Sequence, residues 1–139
     1  MIMNVAYRLL LVEDEEADVA HFHRLSRKYN LKAEIIVARD ASSALEILRR
    51  HAHDPLRHVI VTDLNLPGLS GHELIEEIRS DALLASNVVF VISTSDRCED
   101  IQRAYRQQVA GYIVKDTLGE RLEAGVSMLS QYFQAVALW

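Results

Sequence analysis

Five short apolar runs, each followed by a stretch of helical periodicity, constrain this chain more than any other feature. The runs at 7–12, 33–38, 59–62, 88–92 and 111–114 are rich in Val, Ile and Leu and end at polar or turn residues. That is the pattern of strands buried on both faces. Between them apolar residues recur every three or four positions, as a helix with one inward stripe requires. The stripes are Val19, Phe22, Leu25, Ser26 and Tyr29; Ala41, Ala44, Leu45 and Leu48; Leu74, Ile75 and Ile78; Ile101, Ala104 and Tyr105; and Leu118, Leu122, Val126, Leu129, Phe133 and Val136. They predict helices over 17–29, 41–50, 72–79, from Asp96 or Glu99 to 107, and over 117–139. Asp40 is a predicted N-cap, and Thr117 with Glu120 has the spacing of a capping box. Strand-then-helix units joined by short links predict an α/β fold, a doubly wound five-stranded parallel sheet with five helices and right-handed crossovers.

At 139 residues the chain reads as one domain over 1–139, with no repeat or linker. A net charge of -5 and the lack of a Lys/Arg run speak against nucleic acid as a partner. The one cysteine, Cys98, precludes an internal disulfide and fits a reducing compartment. No apolar run approaches the ~20 residues of a membrane span, and the first residues do not read as a signal peptide. Cytoplasmic localisation, with no membrane partner, is the expectation.

Under this topology Glu13, Asp14, Asp63, Ser93 and Lys115 each follow a strand end and share one rim of the sheet, where open α/β sheets bind ligands. Crowded carboxylates repel, and a hard divalent cation such as Mg²⁺ (or Mn²⁺) offsets that repulsion. A lysine and a hydroxyl suit the oxygens of a phosphoryl group. After Asp63, the residues Asn65, Pro67, Gly68, Ser70 and Gly71 form a loop of turn formers that walls the site. Glu15 and Glu16, at a helix start, complement the helix dipole.

These residues carry a resemblance. The segments L11-V-E-D14, D63-L-N-L-P-G-L-S-G71, I92-S-T-S95 and G111-Y-I-V-K115, in this order and spacing over about 7–130, resemble the receiver domains of two-component response regulators. The resemblance implies a flavodoxin-like fold with Asp63 as phosphoacceptor, attacking the phosphohistidine of a sensor histidine kinase. It implies Mg²⁺ held by Glu13, Asp14, Asp63 and the backbone carbonyl of Asn65, with Lys115 and Ser93 on the phosphoryl oxygens. It makes Ser93 and Tyr112 the switch pair and Asn65 and Ser95 the positions that tune dephosphorylation. Within the family, D63-L-N-L-P and S93-T-S followed by D100-I-Q-R-A-Y105 resemble the single-domain regulators paired with bacterial phytochromes, implying a bacteriophytochrome as the kinase. Asp116 departs from the family, standing where proline usually follows the lysine, and Ser70 replaces a frequent acid.

The expected function is a stand-alone response regulator rather than an enzyme, with a phosphate sink, a phosphorelay intermediate or a phosphate-independent adaptor as alternatives. A haloacid-dehalogenase-like phosphatase would also use an aspartyl phosphate, but it carries a second Asp two residues on, and here that residue is Asn65. His21 and His23 point apart on a helix, and His51, His53 and Asp54 read as a solvated loop. A helix over 117–139 would run ~35 Å at ~1.5 Å per residue, longer than the sheet needs. The helical extension at about 131–139 is therefore expected to overhang and to form a homodimer, with Leu129, Phe133, Val136, Leu138 and Trp139 as contact residues.

Overall fold

A computed structural model describes residues 7–54 and 57–138, which leaves the starting methionines, Pro55 and Trp139 outside the description. The chain alternates β1 (Tyr7–Val12), α1 (Glu16–Lys28), β2 (Glu34–Ala38), α2 (Ala41–Arg50), β3 (Arg57–Thr62), α3 (Gly71–Ser80), β4 (Val88–Ser93), α4 (Cys98–Arg106), β5 (Gly111–Val114) and α5 (Glu120–Ala135). The strands form one parallel sheet in the order β2-β1-β3-β4-β5. The predicted α/β doubly wound fold is what the chain adopts.

Successive side chains of a strand point to opposite faces, and here both faces are covered. Leu10, Val12, Ile60, Val89 and Val91 pack with the buried residues of α2 and α3 and with Ala104 of α4. Leu9, Leu11, Val59, Val61, Phe90 and Ile92 pack with those of α1 and α5. Of the stripe predicted on α4 only Ala104 is buried, and Tyr105 is 51% exposed.

Caps set several helix starts. Asp40 accepts from the Ser43 N–H at 2.7 Å, as predicted. A capping box does occur, but on α3: Ser70 Oγ accepts from the Glu73 N–H while a Glu73 carboxylate oxygen accepts from the Ser70 N–H. The acid that the family often has at this position would not build the same hydroxyl-centred box. At Thr117 no such box forms. Gly119 takes a left-handed φ of 74°, its N–H donates to the Asp116 carbonyl, and α5 starts only at Glu120. Leu118 is thus 80% exposed in a turn instead of lying on the helical stripe.

The other end of α5 also differs from the expectation of a helix to 139. Val136 has extended backbone, and the Tyr7 hydroxyl donates to its carbonyl at 2.7 Å. Leu138 packs against the core. Leu129 and Phe133, expected among the dimer contacts, are 0% and 6% exposed, and Tyr7 stacks on Phe133 at 5.1 Å. Periodicity marks both as apolar without saying that β1 and α1, not a second chain, cover them. The tail turns back on the domain rather than overhanging it.

Candidate functional site

The register brings the strand ends level. Val12 pairs with Thr62, Thr62 with Val91, and Ser93 with Val114. Each next residue therefore emerges at the same rim, at the point where the strand order reverses between β1 and β3. The five strand-end residues predicted to gather, Glu13, Asp14, Asp63, Ser93 and Lys115, all come to this rim. The loop after β3 packs hard against it: a Cβ on Gly71 would lie 2.2 Å from the Asp63 carbonyl oxygen, so only glycine fits.

Asp63 is 8% exposed and Glu13 4%. One Asp63 oxygen (Oδ1) accepts from the Leu64 and Asn65 N–H groups at 2.7 and 3.2 Å, which fixes the carboxylate. The other faces Lys115, whose Nζ lies 3.3 Å from Asp63 Oδ2, 3.2 Å from Glu13 Oε1 and 3.0 Å from Asp18 Oδ2. Leu11, Phe22, Ile92 and Leu122 form the apolar floor beneath. The Lys115 amide donates to the Ser93 carbonyl at 2.7 Å. With Asp116 in place of proline, Lys115 still reaches Asp63.

Burial in this crowded pocket raises Glu13 to about 9, aided by its contacts with Asp18 and Asp63 and opposed by Lys115. Burial lowers the Lys115 pKa, but the charges of Asp63, Asp18 and Glu13 outweigh it and leave the group raised. The Glu13 carboxyl, followed by Lys115, holds Asp18 below the ordinary carboxylate range. Glu13 Oε2 is buried without a hydrogen-bond partner among the described residues. Glu13, Asp14 and Asp63 can each bring an oxygen within 4.8 Å of the others. An orphaned oxygen and an all-carboxylate donor set fit a hard divalent cation.

Ser93 and Tyr112, expected to act as a switch pair, lie together beside the site. Ser93 is fully buried, and its Oγ accepts from the Ser95 N–H at 3.1 Å. Tyr112 is half-buried and donates its hydroxyl to the Ser95 carbonyl at 2.8 Å. The Ser95 hydroxyl donates to Asp100 at 2.5 Å, which directs it toward α4, and Asn65 is exposed at the lip.

Two features escaped sequence reasoning. Asp18, on the first turn of α1, takes the shortest contact with Lys115. No local pattern marks it, because its partner is 97 residues away. The second is a buried network. His72 faces Asp100 at 3.2 Å and the Gln107 side-chain oxygen at 3.1 Å, and Gln107 donates back to the His72 carbonyl. It joins Ser95 to both ends of α4 and to α3.

Residues 9–127 match the response regulator receiver domain. Response regulator Rcp1 of Synechocystis sp. is 31% identical over 110 residues, covering 77% of this chain and 75% of Rcp1. The crystal structure of the phosphorylated cyanobacterial phytochrome response regulator RcpA superposes with a TM-score of 0.83 at 30% identity, covering 96% of this chain and 98% of RcpA. The Mn²⁺-bound form of Rcp1 gives a TM-score of 0.83 at 28% identity, covering 96% and 99%. Such a metal form accords with the carboxylate cluster found here. Among the described residues no helix is long and apolar enough to cross a membrane. The chain belongs to the response regulator receiver domain family.

Proposed function

We propose that this chain is a phosphoacceptor switch in which Asp63 receives a phosphoryl group from the phosphohistidine of a sensor histidine kinase. The Asp63 oxygen forms a P–O bond as the P–N bond to histidine breaks, and the proton needed by the leaving imidazole comes from solvent. The observation that supports this best is the seat of Lys115, within 3.3 Å of an Asp63 oxygen whose twin is pinned by two backbone amides. Charge stabilisation of the transferring phosphoryl group is the principal work such a site does. Glu13, Asp14 and Asp63, with the Asn65 carbonyl, would hold Mg²⁺ or Mn²⁺, which supplies the remaining charge neutralisation.

A group with a charge near -2 on Asp63 would draw the Ser93 hydroxyl toward it. That hydroxyl now holds the Ser95 amide, and Ser95 in turn holds Tyr112 and Asp100. Phosphorylation thus pulls on the start of α4 and on the Tyr112 side of the sheet, a local change that biases a two-state element.

The likeness to RcpA supports a phytochrome-type kinase as the donor. Localisation in the cytoplasm and a homodimer belong to the same proposal. The dimer contact is reduced to Val136, Leu138 and Trp139, because Leu129 and Phe133 serve the core. Binding of beryllofluoride with Mg²⁺ tests the phosphoacceptor reading. Binding by the wild type but not by Asp63→Asn is expected, and wild-type protein that binds none would refute it.

A further inference from the structure

An ammonium group has three N–H donors, and Lys115 has three carboxylate partners, one each from β1, α1 and β3 or the residues just after them. Two of the three have a second engagement. Glu13 and Asp63 belong to the set that can surround a divalent cation, and Asp63 is also the group that reacts. Asp18 belongs to neither set, yet it makes the shortest contact, at 3.0 Å.

The support on the lysine's own side is slight. β5 ends at Val114, and the next three residues, Asp116, Thr117 and Leu118 beyond Lys115 itself, are all exposed. Among the described residues, the backbone bond from the Lys115 amide to the Ser93 carbonyl is what ties the residue to the sheet there. Asp18, by contrast, sits in the first turn of a helix anchored by Val19, Phe22 and Leu25 in the core. Its side chain is 40% exposed, so water as well as Lys115 reaches its charge, and no metal ion is needed to offset it.

We propose that Asp18 is a positioning residue, the fixed anchor that keeps the Lys115 ammonium over Asp63 when Glu13 and Asp63 turn to a cation and a phosphoryl group. This rests on the phosphoacceptor reading above. Asp18 touches neither phosphoryl donor nor metal. It acts through Lys115, presenting one N–H bond's worth of restraint and leaving the other two donors for the reacting oxygens. A catalytic group displaced by about 1 Å can lose on the order of 10²-fold in rate, so a partial loss of this anchor has a measurable cost.

The test follows acyl phosphate formation on the full chain with acetyl phosphate and Mg²⁺, where the P–O bond to Asp63 forms as that to acetate breaks. Asp18→Ala is expected to react ~10-fold more slowly, Asp18→Asn to fall between it and the wild type because its amide oxygen still accepts, and Asp18→Glu to recover most of the rate. Mg²⁺ affinity should stay within ~3-fold in all of them, as for a residue outside the metal set. In a Lys115→Ala background the Asp18→Ala change should add less than ~2-fold, since coupled residues are non-additive. Wild-type rates in Asp18→Ala and Asp18→Asn would overturn the proposal. So would an equal loss with and without Lys115, or a loss that tracks weakened Mg²⁺ binding. Asp63→Asn separates the two claims: if the wild type gains no more phosphoryl group than this variant, the phosphoacceptor reading itself falls and the anchor with it.

Discussion

The two ends of this parallel sheet treat buried charge in opposite ways. At the carboxyl end Glu13, Asp18 and Asp63 gather around one ammonium, that of Lys115, and Asp14 lies beside Glu13 and Asp63. At the amino end Arg8 bridges Glu34 at 3.4 Å and Asp54 at 2.5 Å, with His51 3.4 Å from Asp54 and its ring 5.6 Å from that of His58. Each end holds one buried side-chain atom without a hydrogen-bond partner among the described residues, Glu13 Oε2 at the first and His58 Nε2 at the second. Burial makes both groups give up their charge: it lifts Glu13 to about 9 and drops His58 to about 4, in the latter case helped by Arg8. The neighbours make the difference. Around His58 acids and bases pair off. Around Glu13 the acids are in excess, and an arriving cation resolves what the protein alone leaves unresolved. An excess of one sign, rather than burial of charge as such, separates a binding site from a structural network.

The largest effect is expected at Lys115. Removing one partner of a buried ion cluster leaves the others uncompensated, so Lys115→Met should cost about 3–5 kcal/mol in metal-free urea unfolding. Mg²⁺ should restore much of that loss. Arg8→Met should cost about 1–2 kcal/mol, with no response to Mg²⁺. Equal Mg²⁺ responses at the two ends would erase the distinction.

Acidity probes the amino end through His58, against the opposite slope of Glu13, whose raised pKa weakens folding as pH rises. A folded-state pKa depressed below the ordinary 6.5 to about 4 means that the unfolded chain binds the extra proton first. The stability that His58 contributes is therefore full above pH 6.5 and is lost as pH falls toward 4, by on the order of 3 kcal/mol. Urea midpoints for His58→Gln should flatten over this window; an unchanged slope would mean that other groups carry it.

Glu13→Gln sharpens the carboxyl end. A group already protonated at neutral pH loses little when replaced by its neutral isostere, so metal-free stability should change by less than ~1 kcal/mol. The ~2.7 kcal/mol that a ligand at 100 times its Kd contributes should disappear, as thermal shift with Mg²⁺ would show. The smallest effect is expected at the tail. Truncation after Val136 keeps the Tyr7 bond and the Phe133 stack, so stability should hold within ~1 kcal/mol, while light scattering should report a monomer if Leu138 and Trp139 make the dimer. An unchanged dimer mass would remove them from the interface.

Much of this was legible in the sequence because strand ends are local signals. A run such as Val59 to Thr62 stops where Asp63 begins, and the doubly wound topology then carries every such residue to one rim. What stayed hidden depends on contacts distant in the chain. Asp18 reads as one more acid on a polar face until α1 packs beside α5 and Lys115 reaches across to it. His72 reads as a helix-start residue until Asp100 and Gln107 close over it. Thr117 and Ser70 each precede a Glu by three residues, but only Ser70 caps, because Gly119 turns left-handed before the first pattern can close. Leu129 and Phe133 show how an apolar stripe announces burial without naming its partner.

The central claim is that the carboxyl end of the sheet exists to accept a phosphoryl group on Asp63. Mass spectrometry of the full chain after acetyl phosphate and Mg²⁺ tests it directly. The account predicts one phosphoryl group per chain, placed on Asp63 by peptide mapping, removed by hydroxylamine, and absent both in Asp63→Asn and after chelation of the metal. A wild-type chain that takes up no phosphoryl group, or an Asp63→Asn chain that takes up as much, would contradict it.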